Sequence, residues 1–129
     1  MALNQHNQNV SIDFRYIKDT GLQGGSGANN NRSNIMGTSG KLYSIFIDNT
    51  ETNNGTGYLK LYDTAAAVTE GTTEPSFIFK VQAAMVGTWS FPEGLTFSAG
   101  MGYAISDSPG KNAGAALGAK VKNLIFTFK

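Results

Sequence analysis

The residues able to do chemistry in this chain are few and scattered. It contains one histidine, His6, and no cysteine. A Ser-His-acid relay would have to run through His6, while a disulfide, a zinc-thiolate site and a thiol nucleophile are all excluded. His6 lies in a polar stretch, MALNQHNQN, with no second His beside it, and reads as a solvated side chain, not a metal ligand. General acid–base catalysis needs two neighbouring carboxylates, at least one in an apolar pocket. The acidic residues fall instead mostly in turns or on outward positions, and Asp13 shares a strand face with Arg15. Asp48, Glu51 and Asn53 are hard oxygen ligands, but DNTETNNG lacks the spacing, the distal Glu and the flanking helices of an EF-hand, and Asx-turn chemistry accounts for it. GGSGANNNR and SPGKNAG lack the Lys-Ser/Thr ending of a phosphate loop. The sequence therefore predicts no catalytic residue, no metal and no cofactor, and a protein that is not an enzyme.

The elements that would position any site are strands. Residues 88–105, TWSFPEGLTFSAGMGYAI, carry the single tryptophan. Trp89 and Phe91 fall on one parity, as do Leu95 and Phe97, and alternation places large side chains on one side of a pleat. Pro92-Glu93-Gly94 reads as a turn and Gly100 and Gly102 as a bend, so three short strands are expected here. Residues 42–49, LYSIFIDN, are apolar on both faces and predict a covered, central strand. Residues 57–63, GYLKLYD, set Leu59 and Leu61 against Tyr58, Lys60 and Tyr62, predicting a strand with one apolar face. Residues 76–82 place Phe77, Phe79 and Val81 together, and residues 121–129 close the chain as a strand. At the other end, residues 10–18, VSIDFRYIK, put Val10, Ile12, Phe14 and Tyr16 on one parity and form the first strand.

Between these elements the chain is rich in turn formers, with 16 Gly and only 3 Pro in 129 residues. Residues 19–40 read as a long Gly/Asn/Ser loop, either a flexible linker or a segment that orders on a partner. Residues 1–9 read as a flexible arm, and 10–129 as one domain. About eight strands without a convincing helix predict an all-β, antiparallel β-sandwich of jelly-roll type. Its expected core is Trp89, Phe91, Phe97, Ile45, Leu59, Leu61, Phe77 and Phe79. The net charge of +1, with 15% charged residues, offers no field for nucleic acid or an anionic membrane, and no apolar run approaches the roughly 18 residues of a bilayer span.

The runs LYSIFIDNT, YLKLYDTA, GTTEPSFIFKV and TWSFPEGLTFSAGMGYAIS resemble small virion proteins of tailed bacteriophages and related prophage regions. The resemblance covers about residues 41–106, half of the chain, and leaves out the arm and the 19–40 loop. It implies a structural protein of the virion, assembled in the host cytoplasm: a head decoration (cement) protein that binds the major capsid protein and forms a homotrimer. His6, Asn7, Arg32, Tyr43 and Tyr62 are the expected partner contacts. The alternative is a tail- or fibre-associated module that stacks sugars or a host surface on Tyr43, Tyr58, Tyr62 and Tyr103.

Overall fold

The computed structural model describes residues 15–24, 31–32, 36 and 38–129. Its elements are β1 (Arg15–Asp19), β2 (Asn31–Arg32), β3 (Gly40–Asp48), β4 (Gly57–Asp63), β5 (Phe77–Val81), β6 (Val86–Phe97), β7 (Met101–Ser106) and β8 (Asn123–Phe128), with no helix among the described residues. They form two antiparallel sheets, in the orders β1-β8-β3-β6 and β2-β7-β4-β5. Because β2 is only two residues long, the second sheet is in substance three strands with a short addition. The first half of the chain pairs with the second in reverse order: β1 with β8, β2 with β7, β3 with β6, β4 with β5. Successive pairs fall in alternate sheets, and β3·β8 and β4·β7 join them laterally.

Period-2 alternation builds the core between the sheets. Ile45 and Ile47 of β3 and Leu124, Phe126 and Phe128 of β8 pack in one apolar cluster with Leu59 and Leu61 of β4 and Met101, Tyr103 and Ile105 of β7. Of the expected core, Ile45, Leu59, Leu61 and Phe97 are fully buried, while Phe77, Phe79, Trp89 and Phe91 are half-buried and pack against that cluster.

The structure departs from the sequence reading in four places. Residues 88–105 make two strands, not three, because Pro92-Glu93-Gly94 is a bulge within β6. Between the pairs Leu42↔Leu95 and Ser44↔Ser90, β6 advances five residues while β3 advances two. Gly94 supplies the positive φ, 79°, that the bulge needs. Residues 19–40 are built into the fold where they are described. Leu22 and Met36 are buried in the core, Gly24 bridges Ala116, and Asn31–Arg32 pair with β7. In β1 the parity is the reverse of that expected for a strand burying its apolar face. Tyr16 is 72% exposed, while Ile17 packs on the core. Finally, β4 is covered on both faces. Lys60 and Tyr62 are fully buried, because residues 64–75 and 107–115 lie over the outside of the second sheet, with Val68 packed on Tyr62 and Ala104.

Phe97 is the largest apolar side chain on β6 that is wholly buried, and its ring meets Phe77 of the other sheet at 5.7 Å. Phe97→Ala is expected to cost about 3–5 kcal/mol, read as a lowered midpoint in urea unfolding. A loss below about 1 kcal/mol would mean the sheets do not close on this ring.

Candidate functional site

The two long sides of the sheet pair are closed by different chemistry. On the side of β1 and β2 the closure is polar. Asp19 Oδ2 accepts from Arg32 Nε at 2.9 Å and from the Tyr103 hydroxyl at 2.6 Å, and Oδ1 accepts from the Gly21 N–H at 2.8 Å. The Tyr103 ring reaches into the core, 4.9 Å from that of Phe126. One carboxylate thus ties β1, in the first sheet, to β2 and β7, in the second. Burial alone would raise the Asp19 pKa, but the Tyr103 hydroxyl, the Gly21 amide and the Arg32 guanidinium outweigh it and hold the carboxyl below its ordinary 3.8. Burial, then the hydrogen bond to Asp19 and the Asp19 charge, push the Tyr103 phenol upward.

On the side of β5 and β6 the closure is aromatic. Phe79 lies 5.1 Å from Trp89 and 5.8 Å from Phe91, linking the edge strands of the two sheets. The Trp89 indole folds back over Gly87. A Cβ at residue 87 would sit 2.6 Å from Trp89 Cη2 and 3.2 Å from the Ile47 side chain, so the glycine makes room for the ring. β5 and β6 are both terminal in their sheets, and beside them Ile78, Met85 and Val86 are 41%, 52% and 46% exposed. Edge strands with exposed apolar side chains are surfaces on which another chain can pair. The connection between them is held rigidly. Asn49 Nδ2 donates to the Gln82 carbonyl at 3.2 Å, and the Asn49 N–H to the Met85 carbonyl at 3.0 Å. Ala84, between these anchors, sits at a positive φ of 58°, unusual for a residue with a Cβ. Asn49 is itself fixed by Asn54, whose Nδ2 donates to Asn49 Oδ1 at 2.9 Å.

A third polar group lies under the covering segments of the second sheet. Lys60 Nζ donates to the Asn112 carbonyl at 2.8 Å and forms an ion pair with Glu70 Oε2 at 3.1 Å, both side chains being buried. That approach lacks the alignment of a hydrogen bond at Oε2, so the contact is ionic, while Glu70 Oε1 accepts from the Gly114 N–H at 3.0 Å. The Tyr62 hydroxyl is buried without a hydrogen-bond partner among the described residues, and desolvation, followed by the Glu70 and Glu74 charges, pushes its pKa up. At the corner between β6 and β7, Asp63 accepts from the Ser98 and Ala99 amides and the Ser98 hydroxyl. Partial burial opposes these bonds, which still lower its pKa.

These positions change the list of partner contacts. Tyr62 is fully buried and Arg32 is engaged with Asp19, so neither presents a free side chain. Tyr43 is half-buried where β3 slips register against both neighbours, and its ring stands 3.2 Å from where a Cβ on Gly94 would be. His6 and Asn7 lie outside the described residues, as does Asp13. Asp48 caps its own turn by accepting from the Thr50 N–H at 3.0 Å, and no group of three His, Cys, Asp or Glu side chains is gathered for a metal among the described residues. The sequence reading passed over Asp19, Lys60 with Glu70, and Asn49 with Asn54. Only the Asx-rich turn hinted at the last pair.

No protein-family model matches the chain, and neither a curated protein nor a solved structure matches it.

Two outcomes follow from the polar groups. Lys60→Met or Glu70→Leu alone is expected to cost about 3–5 kcal/mol by stranding a buried charge, whereas the double variant regains most of that stability; a double-mutant cycle in urea measures it. Asp19, with a folded pKa below its unfolded one, stabilises fully above that ordinary value, and its contribution is lost as pH falls through the folded pKa. Asp19→Asn should therefore lower the thermal midpoint at neutral pH and show a shallower further loss below about pH 4 than the unaltered protein. Parallel acid limbs would contradict the clamp.

Proposed function

We propose that this chain is a structural protein of a bacteriophage virion, a decoration protein that docks on the assembled head shell through the major capsid protein and carries no catalysis of its own. The observation that carries the reading is the strand order. Orders β1-β8-β3-β6 and β2-β7-β4-β5, with the halves paired in reverse, are what a long antiparallel hairpin gives when it rolls up, and we read the fold as a jelly roll, an architecture used for viral capsid domains. Fold alone does not give function, so the sequence resemblance adds weight. The resembling runs coincide with β3 and its turn, β4, β5, and the continuous β6–β7 unit. The strands and the β6–β7 corner fall within the resembling runs, while residues 51–57 and 82–87 lie between them.

The enzyme reading finds little support in the same residues. The most buried acids, Asp19 and Glu70, are consumed in structural contacts. The sugar-stacking reading loses half of its platform, because Tyr62 and Tyr103 are buried. A rigid body with an apolar edge is suited instead to a repeated lattice, where a modest contact is multiplied by the number of copies engaged. The test is to mix the purified protein with undecorated head shells, sediment them and count bound copies by densitometry. A fixed stoichiometry per shell is expected. Failure to co-sediment, together with binding to polysaccharide or host cells, would place the protein on the tail or a fibre.

A further inference from the structure

Three loops meet at one end of the sheet pair: the β3–β4 connection, the β5–β6 connection, and residues 117–119. Asn49 and Asn54, both buried, hold them together. Asn49 Nδ2 donates to the Gly55 carbonyl at 3.0 Å and to the Gln82 carbonyl at 3.2 Å, and its Oδ1 accepts from Asn54 Nδ2 at 2.9 Å. Asn54 Oδ1 accepts from the Ala119 N–H at 2.6 Å, and the Gly55 N–H donates to the Leu117 carbonyl at 3.1 Å. Asn54-Gly55 is also the one Asn-Gly step in the sequence. A glycine after asparagine leaves its own backbone nitrogen unhindered to attack the side-chain amide. The fold does not require that glycine. Gly55 is not among the glycines at positive φ, and a Cβ on it would meet nothing within 4 Å among the described residues.

We propose that Asn54 is a deamidation site, kept closed by the joint it helps to build and opened when that joint loosens. In the reaction the Gly55 nitrogen, having given its proton to hydroxide, attacks Asn54 Cγ. The Cγ–Nδ2 bond breaks, ammonia leaves with a proton taken from water, and a succinimide ring remains. Water then opens the ring at either carbonyl, leaving aspartate or isoaspartate at position 54. Gly55 is exposed, so hydroxide can reach it. In the folded protein, however, each participant is engaged: the Gly55 proton with Leu117, and the two ends of the Asn54 carboxamide with Asn49 and Ala119. The attack therefore waits on local opening. The product cannot rebuild the joint. A carboxylate has no proton to donate to Asn49 Oδ1, and turning the Asn49 amide round would take Nδ2 away from Gly55 and Gln82. Conversion thus weakens the hold on the β5–β6 connection, in one direction only. The proposal stands apart from what the protein docks on.

The test follows the full-length protein at mildly alkaline pH by intact mass and by peptide mapping for isoaspartate. The folded protein is expected to keep Asn54, while the same protein in urea converts it before any other asparagine. Asn49→Ala, folded by circular dichroism, is expected to convert about tenfold faster than the unaltered protein, the opening gained when one buried hydrogen bond is lost. Gly55→Ala, which the open space at that position accommodates, is expected to slow conversion in urea sharply. Asn54→Asp, which reproduces the product, is expected to lower the thermal midpoint by about 5 °C. Equal rates in folded protein and in urea would overturn the proposal. So would an Asn49→Ala rate equal to that of the unaltered protein, a Gly55→Ala rate in urea as fast as the parent's, or an unchanged midpoint in Asn54→Asp. Should Asn49→Ala lose its circular dichroism, Asn49→Ser replaces it under the same expectation, and the comparison of folded protein with urea decides the proposal without either.

Discussion

The structure depends on β3. It is hydrogen-bonded on both sides, to β8 and to β6, and its register slips against both neighbours between Leu42 and Ser44. That irregularity decides what its partners do. β8 advances one residue while β3 advances two, and β6 gives up three extra residues to the Pro92–Gly94 bulge. Beyond the slip, Ile45 and Ile47 face the second sheet from the centre of the first. A β3 without this slip would turn part of its inward side chains outward, because the side-chain period is two.

With β3 central, the two sides of the sheet pair are left to be sealed, and they are sealed differently. Asp19, Arg32 and Tyr103 close one side with directional, charge-assisted bonds that fix the distance between the sheets. Phe79, Trp89 and Phe91 close the other by ring contacts that leave apolar surface in view. The polar side is complete within one molecule. The aromatic side carries the terminal strands β5 and β6 and exposed Ile78, Met85 and Val86. The outer face of the second sheet is covered over β4, where residues 64–75 and 107–115 are held by Lys60 and Glu70.

Much of the fold was legible because its strands alternate cleanly. GYLKLYD and SFIFKVQ each announce a strand of the observed phase, and LYSIFIDN does so from Ser44 onward, the slip before it bringing Leu42 instead of Tyr43 into the core. The single strand β6 was not legible, because Pro-Glu-Gly has the same composition in a turn as in a bulge at a sheet edge. The contribution of residues 19–40 was hidden for another reason. Leu22 and Met36 are isolated in Gly/Asn-rich surroundings and carry no period. Lys60 and Tyr62 looked outward because amphipathic residues on the second face of a strand usually meet water. Only the covering segments, distant in sequence, reverse that expectation. The candidate edge was half visible. Its aromatics were read as core, and their half-buried state depends on which strands end up terminal, a property of topology that local pattern does not encode.

Amide hydrogen exchange in β6 tests most directly whether the aromatic side is an open sheet edge. In an antiparallel pair only alternate residues of β6 bond to β3, so the remaining amides of residues 86–90 face outward. In dilute protein these amides should exchange rapidly, while the paired amides of β3 and β8 stay protected. Slow exchange of the same amides at every concentration would show that the edge is already closed within one molecule and would contradict the account.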